Sequence, residues 1–192
     1  EQGVTAVIRG EDHISNTPRQ IHIQNALGYP ALEYAHLPLV LGPDKKRLSK
    51  RHAATSLGEY KDMGYLDSAI LNSLARLGWS GGDKEVFYMD DLLKDFNIKD
   101  VQKAGAIFDI TKLDWLNAQH LANLSLEGFK EHIKPFAHKI DIDINDHPNT
   151  DLLIASMRTF ENTLSDIARA LRPYFMDVGA VSYTHLTLPT TV

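Results

Sequence analysis

The sequence predicts an α/β fold over its first part, followed by a mostly α-helical region. Two short apolar runs, Val4–Ile8 and Tyr34–Val40, are typical of buried strands, and a helix-start signature lies between them. From Ser56 onward, apolar residues recur at helical spacing and glycines follow where helices are expected to end. This order of elements indicates a strand–helix–strand unit that leads into helices.

The helix between the two strands is predicted from both of its ends. Thr17-Pro18-Arg19-Gln20 combines an N-cap threonine, an early proline and a glutamine three residues after the cap, which is the pattern of a capping box. We expect a helix from Pro18 to Leu27, with Gly28 as the left-handed residue that follows it. The second strand is expected to end at the turn Gly42-Pro43-Asp44.

The later helices are predicted from caps and periodicity. Ser56-Leu57-Gly58-Glu59 is a second capping box, with Gly64 as its stop. An apolar stripe predicts the next helix, closed by Gly78: Leu66, Ala69, Ile70, Leu74 and Leu77. Ser80-Gly81-Gly82-Asp83 is a turn sequence. Further helices are expected over Asp90–Phe96, Thr111–Asn117 and Ser125–Ile133, and twice between Asn149 and Arg172.

Composition excludes several classes of function. The chain has 192 residues, of which 43% are hydrophobic, and a net charge of −5, which argues against non-specific binding to DNA. No apolar run reaches the ~18 residues of a membrane span, so we expect no membrane role. There are no cysteines and no paired metal-ligand spacing among the nine histidines, so we expect no zinc. The lack of cysteines also permits a cytoplasmic location.

A basic segment, Lys45-Lys46-Arg47-Leu48-Ser49-Lys50-Arg51-His52, is the strongest local signal. Five of these eight residues carry a fixed positive charge, directly after the Gly-Pro-Asp turn. Ammonium and guanidinium groups beside a hydroxyl suit a polyphosphate ligand. The alternative is a solvated basic stretch or a general nucleic-acid patch, and spacing alone favours that alternative.

Charged residues also follow the first predicted strand, in Arg9-Gly10-Glu11-Asp12-His13. Open α/β sheets bind ligands beyond the carboxyl ends of their strands. The Arg9 guanidinium could bind a carboxylate through two hydrogen bonds, and Asp12 could accept hydrogen bonds from a ribose. A surface cluster of ion pairs explains the composition equally well.

Together the segments resemble one family. The glutamyl-tRNA synthetases are closely resembled by the segment Val7-Ile8-Arg9-Gly10-Glu11-Asp12-His13-Ile14-Ser15-Asn16-Thr17-Pro18-Arg19-Gln20. That family's version of the KMSKS loop of class I synthetases is resembled by Arg47-Leu48-Ser49-Lys50-Arg51. The family's stem-contact region is resembled by two further segments, Ala75-Arg76-Leu77-Gly78-Trp79-Ser80 and Phe108-Asp109-Ile110-Thr111-Lys112-Leu113-Asp114-Trp115-Leu116-Asn117. The resemblance runs in order from about Gly3 to Phe175.

The resemblance implies a two-step reaction. Such an enzyme joins L-glutamate and ATP, used with Mg²⁺, into glutamyl-adenylate and passes the glutamyl group to the 3′ end of tRNA(Glu). By resemblance, Arg9 binds the glutamate side-chain carboxylate and Asp12 lies near ATP. Lys50 is the catalytic residue, binding the phosphates as pyrophosphate leaves, while Ser49 and Arg51 shape the ATP-binding loop. We expect a cytoplasmic monomer.

The resemblance also implies a domain plan. Residues 1–80 are expected to be the C-terminal part of a Rossmann-like class I catalytic domain, with the KMSKS-type loop and the start of the stem-contact fold. Residues 81–145 are expected to be a helical stem-contact and connecting region, and residues 146–180 the start of a truncated anticodon-binding domain. The segment Val181–Val192 resembles a translated sequencing adapter, so we treat it as non-native. The chain starts at Glu1, not Met, and no HIGH-type signature lies upstream of Val4. We therefore interpret it as an internal fragment that is inactive alone.

Three alternatives remain. A glutamyl-queuosine tRNA(Asp) synthetase resembles the catalytic portion but lacks the helical extension represented here by Leu121–Phe175. A glutaminyl enzyme matches neither Arg9 with its neighbours nor the basic loop. The third alternative, from a different functional class, is a non-catalytic tRNA-binding module.

Two weaker patterns favour structural interpretations. Trp79, Trp115 and Phe129 could stack on bases, but their apolar neighbours favour core packing. The segment Asp141–Asn145 starts like a calcium loop, but it is followed by neither the glycine nor the glutamate that such a loop requires.

Overall fold

The computed structural model describes residues 3–48, 56–145 and 147–175. The chain divides into two compact units, Glu1–His120 and Leu121–Val192. The sequence predicts boundaries between residues 80 and 81 and between residues 145 and 146, whereas the compact units divide between His120 and Leu121. The functional labels of the segments stay a prediction, and the segment from Val181 lies outside the described residues.

The first unit begins with a strand–helix–strand arrangement. Strand β1 (Ala6–Gly10) leads through a 3-10 helix (Glu11–Asn16) into helix α1 (Thr17–Ala26), and strand β2 (Glu33–Leu37) follows. β1 and β2 are parallel, with Arg9 opposite His36. The predicted α/β start is confirmed. Because β1 extends to Gly10, however, Arg9 lies inside the strand and not beyond its end.

The prediction that the first strand is buried is wrong. Ile8 is 59% exposed, and of residues 3–48 only Gly42 is fully buried. Parallel strands are usually covered on both faces. The described residues supply one neighbouring strand and leave much of the apolar surface of β1 and α1 uncovered.

The predicted capping box at Thr17 is also wrong, although its helix forms. Asn16 is the N-cap residue and makes no capping hydrogen bond with its side chain. Thr17 is already helical, and its hydroxyl donates to the carbonyl of His13 instead. At the other end, Gly28 has φ of 70°, as predicted. Its N–H and that of Tyr29 donate to carbonyls of the last helical turn, which completes a left-handed C-terminal cap.

The second predicted strand forms as two separate strands. β2 ends at Leu37 and β3 (Val40–Leu41) starts after Pro38, which has no N–H to donate to a sheet. β3 pairs in parallel with β4 (Ala106–Ile107). The predicted turn after β3 is confirmed, since the Lys45 N–H donates to the Gly42 carbonyl over 2.9 Å.

The rest of the described chain is helical, as predicted. The capping box at Ser56 forms with both of its hydrogen bonds, and Gly64 ends that helix with φ of 93°. Helices α2 to α8 cover Leu57–Met63, Asp67–Arg76, Met89–Asp95, Ile110–Ala122, Leu126–His138, Thr150–Met157 and Leu164–Phe175, with a short 3-10 turn at Ile98–Asp100. None of the described helices has both the length and the apolar character of a membrane span.

Two apolar clusters form the core of the first unit. One joins Val40 and Leu48 to buried residues of the helices: Tyr60, Tyr65, Ile70, Phe108 and Leu113. The other contains Trp79, Phe87 and Leu92. The rings of Trp79 and Phe87 lie 5.1 Å apart on either side of the turn at Gly82. This contact spans the predicted boundary between residues 80 and 81, whose two sides lie in one compact unit.

The second unit has its own core. Helices α6, α7 and α8 pack on one another, and their apolar faces meet in a buried set: Phe129, Ile133, Ala137, Ile154, Leu164, Ile167, Ala168 and Leu171. Ile142 and Ile144 are also buried. Their burial accounts for the alternation of apolar and polar residues in Asp141–Asn145, the segment that starts like a calcium loop.

Candidate functional site

A cleft of about 440 Å³ lies where β1 ends and β2 leads into β3. This is the carboxyl edge of the β1–β2 sheet, where α/β sheets generally bind ligands. The cleft brings together the two predicted site residues that the structure describes, Arg9 and Asp12. Its lining consists of Arg9, Gly10, Asp12, His13, Pro38, Leu39, Val40, Arg47 and Leu48.

The Arg9 guanidinium is held by neutral groups. Its Nε donates to Nε2 of His36 over 3.3 Å, and its Nη2 donates to Oγ1 of Thr17 over 2.8 Å. The carbon at its centre lies 5.5 Å from the centroid of the Tyr34 ring, within reach of a cation–π attraction. The remaining N–H groups have no acceptor among the described residues. The charge of Arg9 is therefore not neutralised by these partners, and its remaining N–H groups can donate to an anionic ligand.

Asp12 lies next to a basic side chain at the same cleft. Its carboxylate oxygen Oδ2 is 3.5 Å from Nη2 of Arg47. The Arg47 side chain is 70% exposed, so this pair contributes little to stability. A β-carbon on residue 10 would lie 2.5 Å from Oδ1 of Asp12. Glycine at position 10 thus permits the approach of the carboxylate to the end of β1.

The tight turn after β3 directs Arg47 to this cleft. The Gly42 N–H donates to the Lys46 carbonyl, and the Leu48 N–H donates to the Val40 carbonyl. These bonds fold the chain back along β3, and Leu48 packs against the first apolar cluster. Leu48 directly precedes the other predicted site residues. Those residues, Ser49, Lys50 and Arg51, lie outside the described part of the chain.

Sequence reasoning missed three side chains that organise the cleft. Thr17 and His36 hold Arg9, and Oε1 of Glu11 accepts a hydrogen bond from the Leu39 N–H over 3.1 Å. That bond ties the 3-10 helix to the link between β2 and β3. His36 was detectable as the one basic residue inside an apolar strand sequence, Tyr34–Val40. The bond that Glu11 accepts from Leu39 joins residues distant in the chain, so no local sequence pattern predicts it.

The structure separates the three aromatic residues considered for base stacking. Trp79 and Phe129 are buried, which confirms the prediction of core packing for them. For Trp115 that prediction is wrong, because the residue is 39% exposed. The Lys112 ammonium lies 4.2 Å from the centroid of its ring. The ammonium is within cation–π distance of a ring that stays partly exposed.

The described residues contain no group of three or more His, Asp or Glu side chains that could hold a metal ion. The absence of zinc stays a prediction.

Comparisons with known proteins agree on one family. Residues 1–115 match the family of class I tRNA synthetases (E and Q), catalytic domain. The chain is 47% identical over 181 residues to a glutamate–tRNA ligase of Thermodesulfovibrio yellowstonii, covering 92% of this chain and 39% of that protein. It is 41% identical over 179 residues to glutamate–tRNA ligase 1 of Acidithiobacillus ferrooxidans, covering 92% and 38%.

Solved structures give the same match. A glutamate–tRNA ligase from Elizabethkingia meningosepticum, crystallised in complex with its amino acid, has a TM-score of 0.77 and 31% sequence identity to this chain. The match covers 90% of this chain and 38% of that one. The chain thus spans about two fifths of the length of the relatives it matches.

Proposed function

The chain belongs to the family of class I tRNA synthetases for glutamate and glutamine, and we propose from this that it supplies part of the active site of a glutamate–tRNA ligase. The proposed enzyme activates L-glutamate with ATP and Mg²⁺, releases pyrophosphate and transfers the glutamyl group to the 3′ end of tRNA(Glu). The observation that carries the proposal is the cleft, in which Arg9 offers an unneutralised guanidinium close to Asp12. A cytoplasmic location and a monomeric state are part of the same proposal.

Each site residue has a chemical role in this proposal. The planar Arg9 fork suits the side-chain carboxylate of glutamate, and a neutral amide would lose the charge-assisted part of that attraction. Asp12 accepts hydrogen bonds from ATP. Lys50 stabilises the negative charge that builds up as pyrophosphate leaves, while Ser49 and Arg51 shape the loop around the phosphates.

A glutamate–tRNA ligase is favoured over the alternatives by the extent of the similarity. The match to glutamate–tRNA ligases covers 92% of the chain and therefore continues past the catalytic-domain match, which ends at residue 115. A glutamyl-queuosine synthetase, which resembles the catalytic portion, would not account for helices α6 to α8. A non-catalytic tRNA-binding module would have no need of Arg9 and Asp12 at one cleft.

The test is a full-length chimaeric enzyme in which this chain replaces the matching part of the T. yellowstonii glutamate–tRNA ligase. We expect glutamate-dependent exchange of pyrophosphate into ATP, measured with tRNA present, and charging of tRNA(Glu). Charging of tRNA(Asp) alone would favour the queuosine enzyme. A folded chimaera that binds tRNA but forms no adenylate would favour the non-catalytic module.

The 192 residues alone are expected to form no glutamyl-adenylate. They contain no His-x-Gly-His-type sequence of the kind that holds ATP in this family. Positioning both reactants can supply about 7–11 kcal/mol of an enzyme's acceleration, and half a site forfeits most of it. Pyrophosphate exchange by the purified chain above the background of its Lys50→Ala variant would refute this expectation.

A further inference from the structure

We infer that His36, together with the Thr17 hydroxyl, is the positioning residue that fixes the Arg9 guanidinium for carboxylate recognition. This inference rests on the proposed role of Arg9 as the group that binds the glutamate side chain. In this inference, two neutral side chains orient the charged group that binds the substrate carboxylate.

The register of the β1–β2 sheet places these groups together. Arg9 is the direct partner of His36, and Val7 is the partner of Tyr34 two positions earlier. Residues two apart on a strand share a face of the sheet. Tyr34 and His36 therefore lie on one face, where their rings are nearly parallel, with an interplanar angle of 6°. Arg9 lies on the same face and is close to both rings.

The hydrogen bonds occupy one particular edge of the guanidinium. Nε and Nη2 form its side edge, and both donate to the protein, to Nε2 of His36 and Oγ1 of Thr17. These two acceptors also lie 3.0 Å from each other, within hydrogen-bond distance. The end edge, formed by Nη1 and the second N–H of Nη2, is left for a ligand. A carboxylate can bind two hydrogen bonds at either edge of an arginine, so filling the side edge selects the end-on approach.

The proton count requires a neutral His36. Arginine has donors only, so Nε2 of His36 must accept and the proton of the ring must lie on Nδ1. The Thr17 hydroxyl accepts from Arg9 and has one proton to give. That proton is shared between the His13 carbonyl at 3.1 Å and Nε2 of His36 at 3.0 Å. An imidazolium could not accept from Arg9 and would add a like charge beside it.

The neutrality of both partners separates this arrangement from a structural ion pair. An arginine that only stabilises a fold commonly has a carboxylate partner, which cancels its charge. None of the described carboxylates forms an ion pair with Arg9, and the nearby Asp12 pairs with Arg47 instead. Neutral acceptors fix the direction of the guanidinium while leaving its charge available for an anion.

The test measures the Michaelis constants of the chimaeric enzyme for glutamate and ATP separately. His36→Ala removes the acceptor, and we expect the KM for glutamate to rise about tenfold, by analogy with the roughly 10- to 100-fold effects of removing hydrogen-bond partners of metal ligands. The KM for ATP should change less than about twofold, since an intact site for ATP binds it equally in both variants. The matched control is His22→Ala, an exposed histidine on α1, which should change neither constant.

A conservative substitution and a double-mutant cycle separate positioning from folding. In His36→Gln, the side-chain carbonyl can accept from Nε of Arg9, so most of the glutamate affinity should return. Thr17→Val and Thr17→Ser form a second pair. Thr17→Val removes the hydroxyl acceptor and should raise the KM for glutamate, whereas Thr17→Ser keeps the hydroxyl and should restore most of the affinity. In an Arg9→Ala background, His36→Ala should add nothing further to the KM for glutamate, because the two residues act through one group.

Three outcomes would overturn the inference. One is an unchanged KM for glutamate in His36→Ala. Another is an equal rise of both Michaelis constants in His36→Ala and His36→Gln, which indicates a structural role. The third is an additive effect in the Arg9→Ala background. If Arg9→Ala itself leaves the preference for glutamate over glutamine unchanged, the proposed role of Arg9 fails first, and this result is distinct from the other three.

Discussion

Two segments of the first unit are held together by different forces. In the N-terminal segment, residues 3–48, side-chain hydrogen bonds link β1 to α1 and β2, and only Gly42 is fully buried. In the helical segment, residues 56–120, large apolar side chains such as Leu113 and Leu116 are almost completely buried. The N-terminal segment holds the cleft residues Arg9 and Asp12, and the helical segment holds the apolar core.

The difference implies that activity and stability can be changed separately. Polar groups at a surface cleft contribute little net stability, because water competes for the same hydrogen bonds. Buried apolar groups contribute roughly 25 cal/mol per Å² of area removed from water. Substitutions in the N-terminal segment should therefore alter catalysis, whereas those in the helical segment should alter the free energy of unfolding.

The largest expected effect is on stability, in a matched pair of leucine truncations. Leu116 is fully buried on α5, whereas Leu27 is 63% exposed at the end of α1. Leu116→Ala should lower the free energy of unfolding by about 2–5 kcal/mol, through lost transfer energy and a residual cavity. Leu27→Ala should stay within about 0.5 kcal/mol. Urea unfolding of the 192-residue chain, followed by tryptophan fluorescence, measures both changes in the free energy of unfolding. Equal losses in the two variants would contradict the contrast between the segments.

The next effect is catalytic and concerns Lys50 in the chimaeric enzyme. If Lys50 binds the phosphates mainly as pyrophosphate departs, its charge stabilises the transition state more than the ground state. Lys50→Ala should slow adenylate formation by about 10²–10³ and leave ATP affinity nearly unchanged. Lys45→Ala, in the turn after β3, should cost far less.

A solvated basic segment gives the opposite pattern for these two lysines. Both losses would then be small, similar and reduced further by added salt. Stopped-flow measurement of the activation step at two salt concentrations distinguishes the patterns. Urea unfolding of either variant should match that of the parent, which extends the separation of activity from stability.

Arg9→Ala in the chimaera should weaken glutamate use and relax discrimination against glutamine. Losing a charge-assisted pair of hydrogen bonds costs about 1.5–3 kcal/mol, which is roughly a 10- to 150-fold change in preference. Competition between the two amino acids in the activation assay gives the ratio directly. If the ratio of glutamate to glutamine activation equals that of the unchanged chimaera, Arg9 does not bind the substrate carboxylate.

The two segments were also predictable to different degrees. In the helical segment, caps and periodicity are local signals, and they predicted the Ser56 capping box and the Gly64 stop correctly. In the N-terminal segment, the same local rule failed at Thr17, because its hydroxyl is used by Arg9 and His13. The register that pairs Arg9 with His36 is a contact between strands, and it lies beyond the reach of a local pattern. The candidate site residues Arg9 and Asp12 were predicted from charge at a strand end, but Thr17 and His36, which accept hydrogen bonds from Arg9, were not.

The smallest expected effect concerns a buried histidine in the helical segment. It tests whether a buried polar group, and not only apolar burial, contributes to the stability of that segment. His120 is 1% exposed. Oδ1 of Asn72 accepts from the Phe87 N–H over 2.8 Å, so Nε2 of His120, 3.1 Å from the same oxygen, must be a donor. Nδ1 is then left unprotonated, and it is buried with no hydrogen-bond partner among the described residues. Burial therefore lowers the pKa of His120 below its ordinary value.

This pKa shift predicts a loss of stability in mild acid. An unfolded histidine binds a proton as the pH falls through about 6.5, whereas folded His120 resists protonation until a lower pH. Between those two values the unfolded state holds more protons, so the free energy of unfolding decreases as the pH falls, by at most about 1.4 kcal/mol per pH unit for one group. Above this window the contribution of His120 to stability is complete.

Urea titrations of the chain from pH 8 to 5 should show this decrease in the free energy of unfolding. His120→Gln should flatten the slope. The control His22→Gln, on the exposed surface of α1, should leave the slope in place. An equal slope in the parent and in His120→Gln would mean that the acid sensitivity arises elsewhere, and the buried polar contact of His120 and Asn72 would then add nothing to the pH dependence of the helical segment.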